Sequence, residues 1–287
     1  MIFLKKILSG GVPSGGVPSG GVPSGGVPSG GVPLIVLLFG LSSFVFGDSY
    51  RYLPNTSFKA GEYFEYKVKF GFLPIGEATV DVSPQIFSVN NRPCFRVNIL
   101  GKTTGLTDLF HIRNTYRSYL DTSALLPQKF LMSLQENNYK KDQTITFDHI
   151  ANAAIREQNK EKKNFKLPDN VHDVVSGYYF LRTIDFSKVK LGEAVSSNMF
   201  FDDEIYTMKV KFNGRGVVKT RFGKINVIKL NPILPPNKMF EGEDAIRIWV
   251  SDDQNRVPIR IEIDFSVGSA SMELKEYRNT RYDFDWK

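Results

Sequence analysis

AIRIWVSDDQNRVPIRIEIDFSVGSASMELKEY, residues 245–277, is the stretch that decides the fold class. Ile246, Ile248 and Val250 alternate with Arg247, Trp249 and Ser251. That is the period of two expected of a strand with two different faces. Asp252-Asp253-Gln254-Asn255 supplies turn chemistry, because short Asx side chains bond nearby backbone and tolerate left-handed conformations. Val257-Pro258 then opens a second run, in which Ile259, Ile261, Ile263 and Phe265 alternate with Arg260, Glu262 and Asp264. Pro258 has no N–H for a ladder bond, which places it at a strand start or an edge. Ser266 to Ser269 turns the chain into a third run, with Ala270, Met272 and Leu274 on one face. The stretch reads as a three-stranded antiparallel meander.

The same grammar runs outward through the chain. Strands are predicted at 61–71, 77–82, 95–101, 113–120, 128–135, 143–148 and 153–157, then at 196–201, 206–212, 217–222 and 224–230. Residues 72–76 and the charged run 158–166 read as connections, Asn213-Gly214 as a hairpin turn, and Pro232, Pro235 and Pro236 as a stiff loop. One amphipathic helix is predicted near 170–182, from Val171, Val174, Val175, Tyr178 and Leu181 at helical spacing, with Asp169 or Asn170 as its cap and His172 in its first turn. A dozen short strands with one helix argue for an all-β, mainly antiparallel protein: a curved sheet, half-barrel or sandwich.

Two similar halves are legible at about 60–157 and 191–277. Gly61-Glu62 precedes Pro127, and Gly192-Glu193 precedes Pro258, by the same 66 residues. Duplication and convergence on a common β pattern both explain this spacing.

Three motifs carry a family resemblance. They are Gly61-Glu-Tyr-Phe-Glu-Tyr-Lys-Val with Phe72-Leu-Pro-Ile-Gly-Glu-Ala, His172-Asp-Val-Val-Ser running into Tyr178-Tyr-Phe-Leu-Arg182, and Trp249-Val-Ser-Asp-Asp with Val257-Pro-Ile. In these the chain resembles the bacterial exported family called domain of unknown function 3108, over nearly all of residues 60–277. The resemblance implies an exported, β-rich envelope protein and carries over no catalytic residue. The strand–Asp-turn–Pro-strand pattern is also similar to that of periplasmic lipoprotein carriers, whose curved sheets cup acyl chains.

The 287 residues are 41% hydrophobic and 13% aromatic, enough for a large core, with a formal charge of +7. Lys and Arg are scattered, without the basic stripe that binding a nucleic-acid backbone requires, so no nucleic-acid partner is expected. Residues 1–47 read as a secretory signal. Lys5 and Lys6 form its charged start, and residues 34–46 form an apolar segment shorter than the ~20 residues of a membrane span. Cleavage is predicted between Gly47 and Asp48, and no cysteine follows for lipidation. Five identical Ser-Gly-Gly-Val-Pro copies, residues 9–33, interrupt the signal as a flexible insertion. No Gly-Lys-Ser/Thr follows them, so they are not a P-loop. The remaining chain, 48–287, is predicted to be one β-rich domain in the periplasm of a Gram-negative bacterium that does not span a membrane.

Catalytic patterns are missing. His111, His149 and His172 lack metal-ligand spacing, and no Gly-x-Ser-x-Gly elbow occurs. Cys94, the only cysteine, reads as a buried core thiol. The acids at 202–204, 241–244 and 252–253 read as turn-makers. No cofactor and no metal are expected. The 23 Phe, 12 Tyr and 2 Trp either fill a β core or line a concavity for an apolar ligand. Candidate ligand-face or motif residues are Tyr66, Phe70, Tyr178, Tyr179, Trp249 and Pro258. The first functional reading is a non-enzymatic envelope protein that binds a lipid or other apolar component. The second is a scaffold or assembly factor for envelope proteins, and the third a hydrolase.

Overall fold

The computed structural model describes residues 50–105, 111–233 and 244–287. The signal and its repeats lie outside the described residues, as do Pro235, Pro236 and the acids Glu241 and Glu243.

Fourteen strands form one antiparallel sheet. They are β1 (Tyr63–Phe70), β2 (Leu73–Val89), β3 (Arg92–Thr103), β4 (Ile112–Asp121), β5 (Pro127–Glu136), β6 (Tyr139–Asp148), β7 (Ala153–Gln158), β8 (Glu161–Lys166), β9 (Ala194–Phe201), β10 (Glu204–Thr220), β11 (Gly223–Ile233), β12 (Ile246–Ser251), β13 (Pro258–Phe265) and β14 (Gly268–Arg278). Spatial order is β8 to β1, then β14 back to β9. The chain thus steps outward from β1, crosses to the far edge through helix α1 (Val174–Leu181), and steps back until β14 pairs with β1. Among the described residues, the all-β curved sheet with one helix near 170–182 is the architecture found.

Several elements differ from the sequence expectation. Residues 158–166 hold a hairpin turn and strand β8, whose burial pattern is exposed at five of six positions. An edge strand flanked by solvent needs no hydrophobic alternation, and its lysines discourage pairing with other chains. Asn213-Gly214 is not a turn: β10 runs through it, and the register slips between Phe212 and Arg215. Gly214 takes φ +86° there, so the signal marks a β-bulge. β2 already begins at Leu73, and Pro232 lies inside β11. The helix starts later than expected. Asp173, not Asp169 or Asn170, is its N-cap, accepting from the backbone N–H groups of Val175 at 2.8 Å and Ser176 at 2.7 Å. His172 precedes the cap and forms a parallel bridge to Met199 of β9.

The two halves share backbone devices. Gly61 has φ +84° and donates to the Val82 carbonyl at 2.9 Å; Gly192 has φ +83° and donates to the Phe212 carbonyl at 2.8 Å. Glycine is the residue that takes this left-handed conformation without steric cost. At the corners, Asp121 N–H donates to the Leu126 carbonyl at 2.9 Å, and Ser251 N–H to the Val257 carbonyl at 2.8 Å. Leu125 and Arg256 take φ +52° and +49° in those corners.

The sheet does not close by a backbone ladder between β8 and β9. Side chains bridge the two edges instead. Lys141 of β6 meets Asp202 at 2.7 Å with both side chains nearly buried, and Arg156 of β7 meets Asp203 at 2.9 Å. Phe165 of β8 lies 4.8 Å from Phe200 of β9, centroid to centroid. Asp202 and Asp203 form the β9–β10 turn, so these acids make a turn and also fasten a seam.

The face opposite the helix is ionic. Lys275 reaches Glu65 at 2.5 Å and Glu77 at 2.8 Å, Glu273 meets Lys69 and Arg260 each at 3.1 Å, and Arg247 meets Asp264 at 2.6 Å. A lipid-facing barrel needs an apolar belt in this place. Among the described residues no helix is long and apolar enough to cross a membrane.

Candidate functional site

Two features of the inner face, the face that carries α1, come forward. The first is a buried ion pair at the helix end. Glu62, just before β1, and Arg182, the helix C-cap, have side chains 0% and 1% exposed. Arg182 Nη1 donates to Glu62 Oε1 at 2.5 Å, and Nη2 to Oε2 at 2.9 Å and to the Ser57 carbonyl at 3.0 Å. Its Nε donates to the Asn255 carbonyl at 2.9 Å. Its own carbonyl accepts from Ser57 Oγ at 2.6 Å and Arg256 Nη1 at 3.0 Å. Desolvation works to lower its pKa, but the charge and hydrogen bonds of Glu62 outweigh this and hold the guanidinium above its ordinary value. The pair staples the segment before β1, the helix and the β12–β13 corner together. With four of the five guanidinium N–H groups engaged and the pair shut off from solvent, it presents no surface contact.

Beside it, His172 Nε2 accepts from Arg51 Nη2 at 2.9 Å, which places the ring proton on Nδ1. Burial, then the charge of Arg51, lowers the His172 pKa well below its usual value. Asp173 is fully buried and accepts from Ser118 Oγ of β4 at 2.6 Å. Desolvation pushes its carboxyl up to about 6 against the opposing hydrogen bonds of Ser118, Ser176 and Val175. This titratable cluster fixes the helix onto β4 and β9.

The second feature is a hollow of about 520 Å3. Alternation puts Val68 and Phe70 on the same face of β1 as the buried Phe64 and Tyr66, farther from the helix. Register extends this face across three strands: Val68 lies opposite Met272, which lies opposite Ile261, and Phe70 opposite Ala270, which lies opposite Ile263. Phe265 closes one side, and a bulge in β2 that skips Ile75 in the β1–β2 register turns that side chain in. Among the described residues of the lining, Ser266 and Ser271 are the only polar ones and none is charged. A larger cleft of about 810 Å3 beside Tyr50 has a mixed lining, with Asn90, Asn91, Arg92, Asp148 and Asn164 beside Phe147, Ile150 and Ile155, and so differs from the hollow in carrying charged groups.

The six candidate residues separate in space. Phe70 lines the hollow. Tyr66, Tyr178 and Tyr179 pack around Arg182, whose guanidinium lies 5.8 Å from the Tyr178 ring and 5.2 Å from the Tyr179 ring. Trp249 stands opposite Lys229 and Arg260 and packs on the main core, and Pro258 is buried opposite Val250 at a bulge. The lining residues that sequence reasoning passed over, Val68, Ile261, Ile263, Ala270 and Met272, are aliphatic residues of ordinary strand alternation. Their signal was a face of β13 and β14 without a single charge.

Cys94 is buried, and desolvation raises its thiol to about 12, which makes it inert. Among the described residues no group of three or more His, Cys, Asp or Glu side chains is placed to hold a metal. His111 immediately precedes β4 and His149 immediately follows β6.

The model of the family described as "Protein of unknown function (DUF3108)" matches residues 65–275. The chain belongs to DUF3108. This DUF3108 chain is also similar to a solved β-barrel-like protein of domain of unknown function DUF1849 from Brucella abortus. The two are 9% identical with a TM-score of 0.51, over 79% of this chain and 100% of that one. At that identity the likeness concerns the fold alone. A Bacteroides fragilis protein with a YmcC-like fold aligns over 80% of this chain and all of its own, at 10% identity and a TM-score of 0.32, too slight to bear on the argument. No curated protein gives a significant match.

Proposed function

We propose that this DUF3108 protein is an exported envelope protein that holds an acyl chain, or an apolar group of similar shape, in the hollow between β1, β13 and β14. The observation that carries the reading is the lining: Val68, Phe70, Ile75, Ile261, Ile263 and Met272 around about 520 Å3, without one charged group among the described residues. Its volume falls in the range of small-molecule sites, and its composition suits a hydrocarbon that needs no hydrogen-bond partner. Each methylene moved from water into such a place is worth about 0.8 kcal/mol. A polar headgroup has no partner inside and stays at the mouth. The role we assign is binding: Glu62, Arg182 and Asp173, the charged groups of the cluster at the helix, hold structural contacts.

Export is supported by Lys5 and Lys6, the apolar residues 34–46 and the Val45-Phe46-Gly47 sequence before Asp48. The periplasm of a Gram-negative cell is the compartment we assign, without a lipid anchor. A scaffold for envelope proteins is the competing role, and a hollow instead of a flat apolar face favours the acyl-chain reading.

Native mass spectrometry of the protein from its own periplasm tests it. Adducts of lipid mass that solvent extraction removes are the expected result. Protein recovered consistently empty, and unable to take up a fluorescent fatty acid, overturns the proposal.

A further inference from the structure

We infer that two adjoining hairpin tips at the mouth of the hollow, Phe72 with Leu73 and Val267, form a docking surface for an anionic phospholipid bilayer. The inference rests on the acyl-chain reading of the hollow and says where that chain comes from.

Because β1 pairs with β14, the β1–β2 and β13–β14 turns are neighbours. Phe70 lies opposite Ala270, and Gly71 N–H donates to the Ser269 carbonyl at 2.8 Å. Phe72 is 87% exposed, Val267 82% and Leu73 54%. Single exposed apolar residues are ordinary, and the β6–β7 turn holds Ile150 at 44% exposure, but four other tips of this sheet are polar. The β2–β3 tip is Asn90-Asn91, the β5–β6 tip Asn137-Asn138, the β7–β8 tip Asn159-Lys160 and the β9–β10 tip Asp202-Asp203. Asn, Asp and Gly are what tight turns favour, since they take the left-handed backbone and remain solvated. The two tips beside the hollow instead present large hydrocarbon groups to solvent, continuous with Phe70 and Val267 of its lining.

Cations for an anionic surface stand around them. Lys69, Lys102 and Arg113 lie at the same end of the sheet, although Lys69 also meets Glu273 at 3.1 Å and Lys102 meets Glu77 at 3.6 Å. Lys69 is in register with Pro74, Thr103 with Gly76, and Lys102 with Arg113. Without residues 1–47, which hold Lys5 and Lys6 and no Asp or Glu, the remaining chain carries 35 basic against 30 acidic side chains, a net of +5. Basic residues near the surface are drawn to anionic lipid, while apolar tips enter the interfacial layer. Seated this way, the mouth opens toward hydrocarbon, and an acyl chain passes into the hollow without crossing water.

The test uses the chain as purified from the envelope fraction. F72C, V267C and, at the polar β12–β13 corner of the opposite end, Q254C are labelled with an environment-sensitive nitrobenzoxadiazole dye; the buried Cys94 stays unlabelled. Vesicles of phosphatidylethanolamine and phosphatidylglycerol at 3:1 are expected to blue-shift and brighten the labels at 72 and 267 but not at 254. The double variant F72S/L73S, at two exposed tip residues outside the lining, is expected to lose vesicle association about tenfold or more. It should still bind a dansylated fatty acid in vesicle-free buffer as the unsubstituted protein does. Labels that stay silent, or that respond alike at all three positions, overturn the docking surface. Failure of the unsubstituted protein to bind the dansyl probe overturns the hollow instead, so the two failures are distinguishable.

Discussion

Arg182 and Glu62 show how much one interior ion pair is made to hold. Removing one partner of such a pair leaves an uncompensated buried charge, at a cost of about 3–5 kcal/mol. Arg182→Met is therefore expected to lower the unfolding free energy by about that much in urea denaturation. Adding Glu62→Leu to it should recover most of the loss, because the remaining charge goes too. The neighbouring Asp173 makes a pH prediction with an unusual sign. Its folded pKa, about 6, lies above the value of about 4 for an unfolded carboxyl. The native state thus binds more protons between these values, and this contribution falls as pH rises from about 4 to 6, then stays level. Buried His172 works in the opposite direction: its lowered pKa makes stability fall as pH drops below about 6.5. Asp173→Asn keeps a carbonyl to accept the helix N–H groups but cannot ionise. It is expected to gain up to about 3 kcal/mol at pH 7 and little at pH 4, as read from melts across that range. A gain independent of pH would contradict the assignment.

The edges β8 and β9 are where the fold is least secured, because side chains and not a ladder join them. Asp203 alone takes Arg156 at 2.9 Å and Lys163 at 3.5 Å. Asp203→Asn removes both ion pairs and leaves Arg156 with Glu161 at 3.7 Å. Amide exchange in β7 and β8 is expected to quicken about fivefold to tenfold, the effect of roughly 1 kcal/mol on local opening, while β1 and β14 stay unchanged. The same edge explains what the sequence could and could not disclose. The meander from Ile246 to Tyr277 was legible because burial of one face writes a period of two into the residues. β8 was not, since five of its six positions face solvent and nothing selects alternation. Asn213-Gly214 misled for a physical reason as well: a glycine at positive φ serves a bulge as well as a hairpin, and only the partner strand decides between them. The helix was found, but its cap was misplaced. Asp169, Asn170 and Asp173 are all capable of capping, and the bridge from His172 to β9 fixes where the backbone can begin to coil.

The hollow belongs to the molecule as a whole. Its walls come from β1 near the start of the folded chain and β13 and β14 near its end, joined by the pairing of Val68 with Met272. No local window of sequence contains that pairing, which is why the aromatic candidates pointed mainly to the helix contacts and only Phe70 pointed here. The strand faces were readable; their meeting was not. That long-range origin also makes the site separable from stability, since Ala270 and Met272 are only partly buried and the main core lies toward the helix. Ala270 pairs with Phe70 on one side and Ile263 on the other, so a larger side chain there projects between two walls of the hollow. Ala270→Phe is expected to cut binding of a dansylated fatty acid at least about tenfold by occupying the space that its hydrocarbon would fill. Filling an open hollow replaces solvent and does not overpack a core, so the melting temperature is expected to stay within a few degrees of the parent. Circular dichroism melts and fluorescence titrations on the same preparation separate the two effects. Unchanged binding in a folded Ala270→Phe protein would place the acyl chain somewhere other than between β1, β13 and β14.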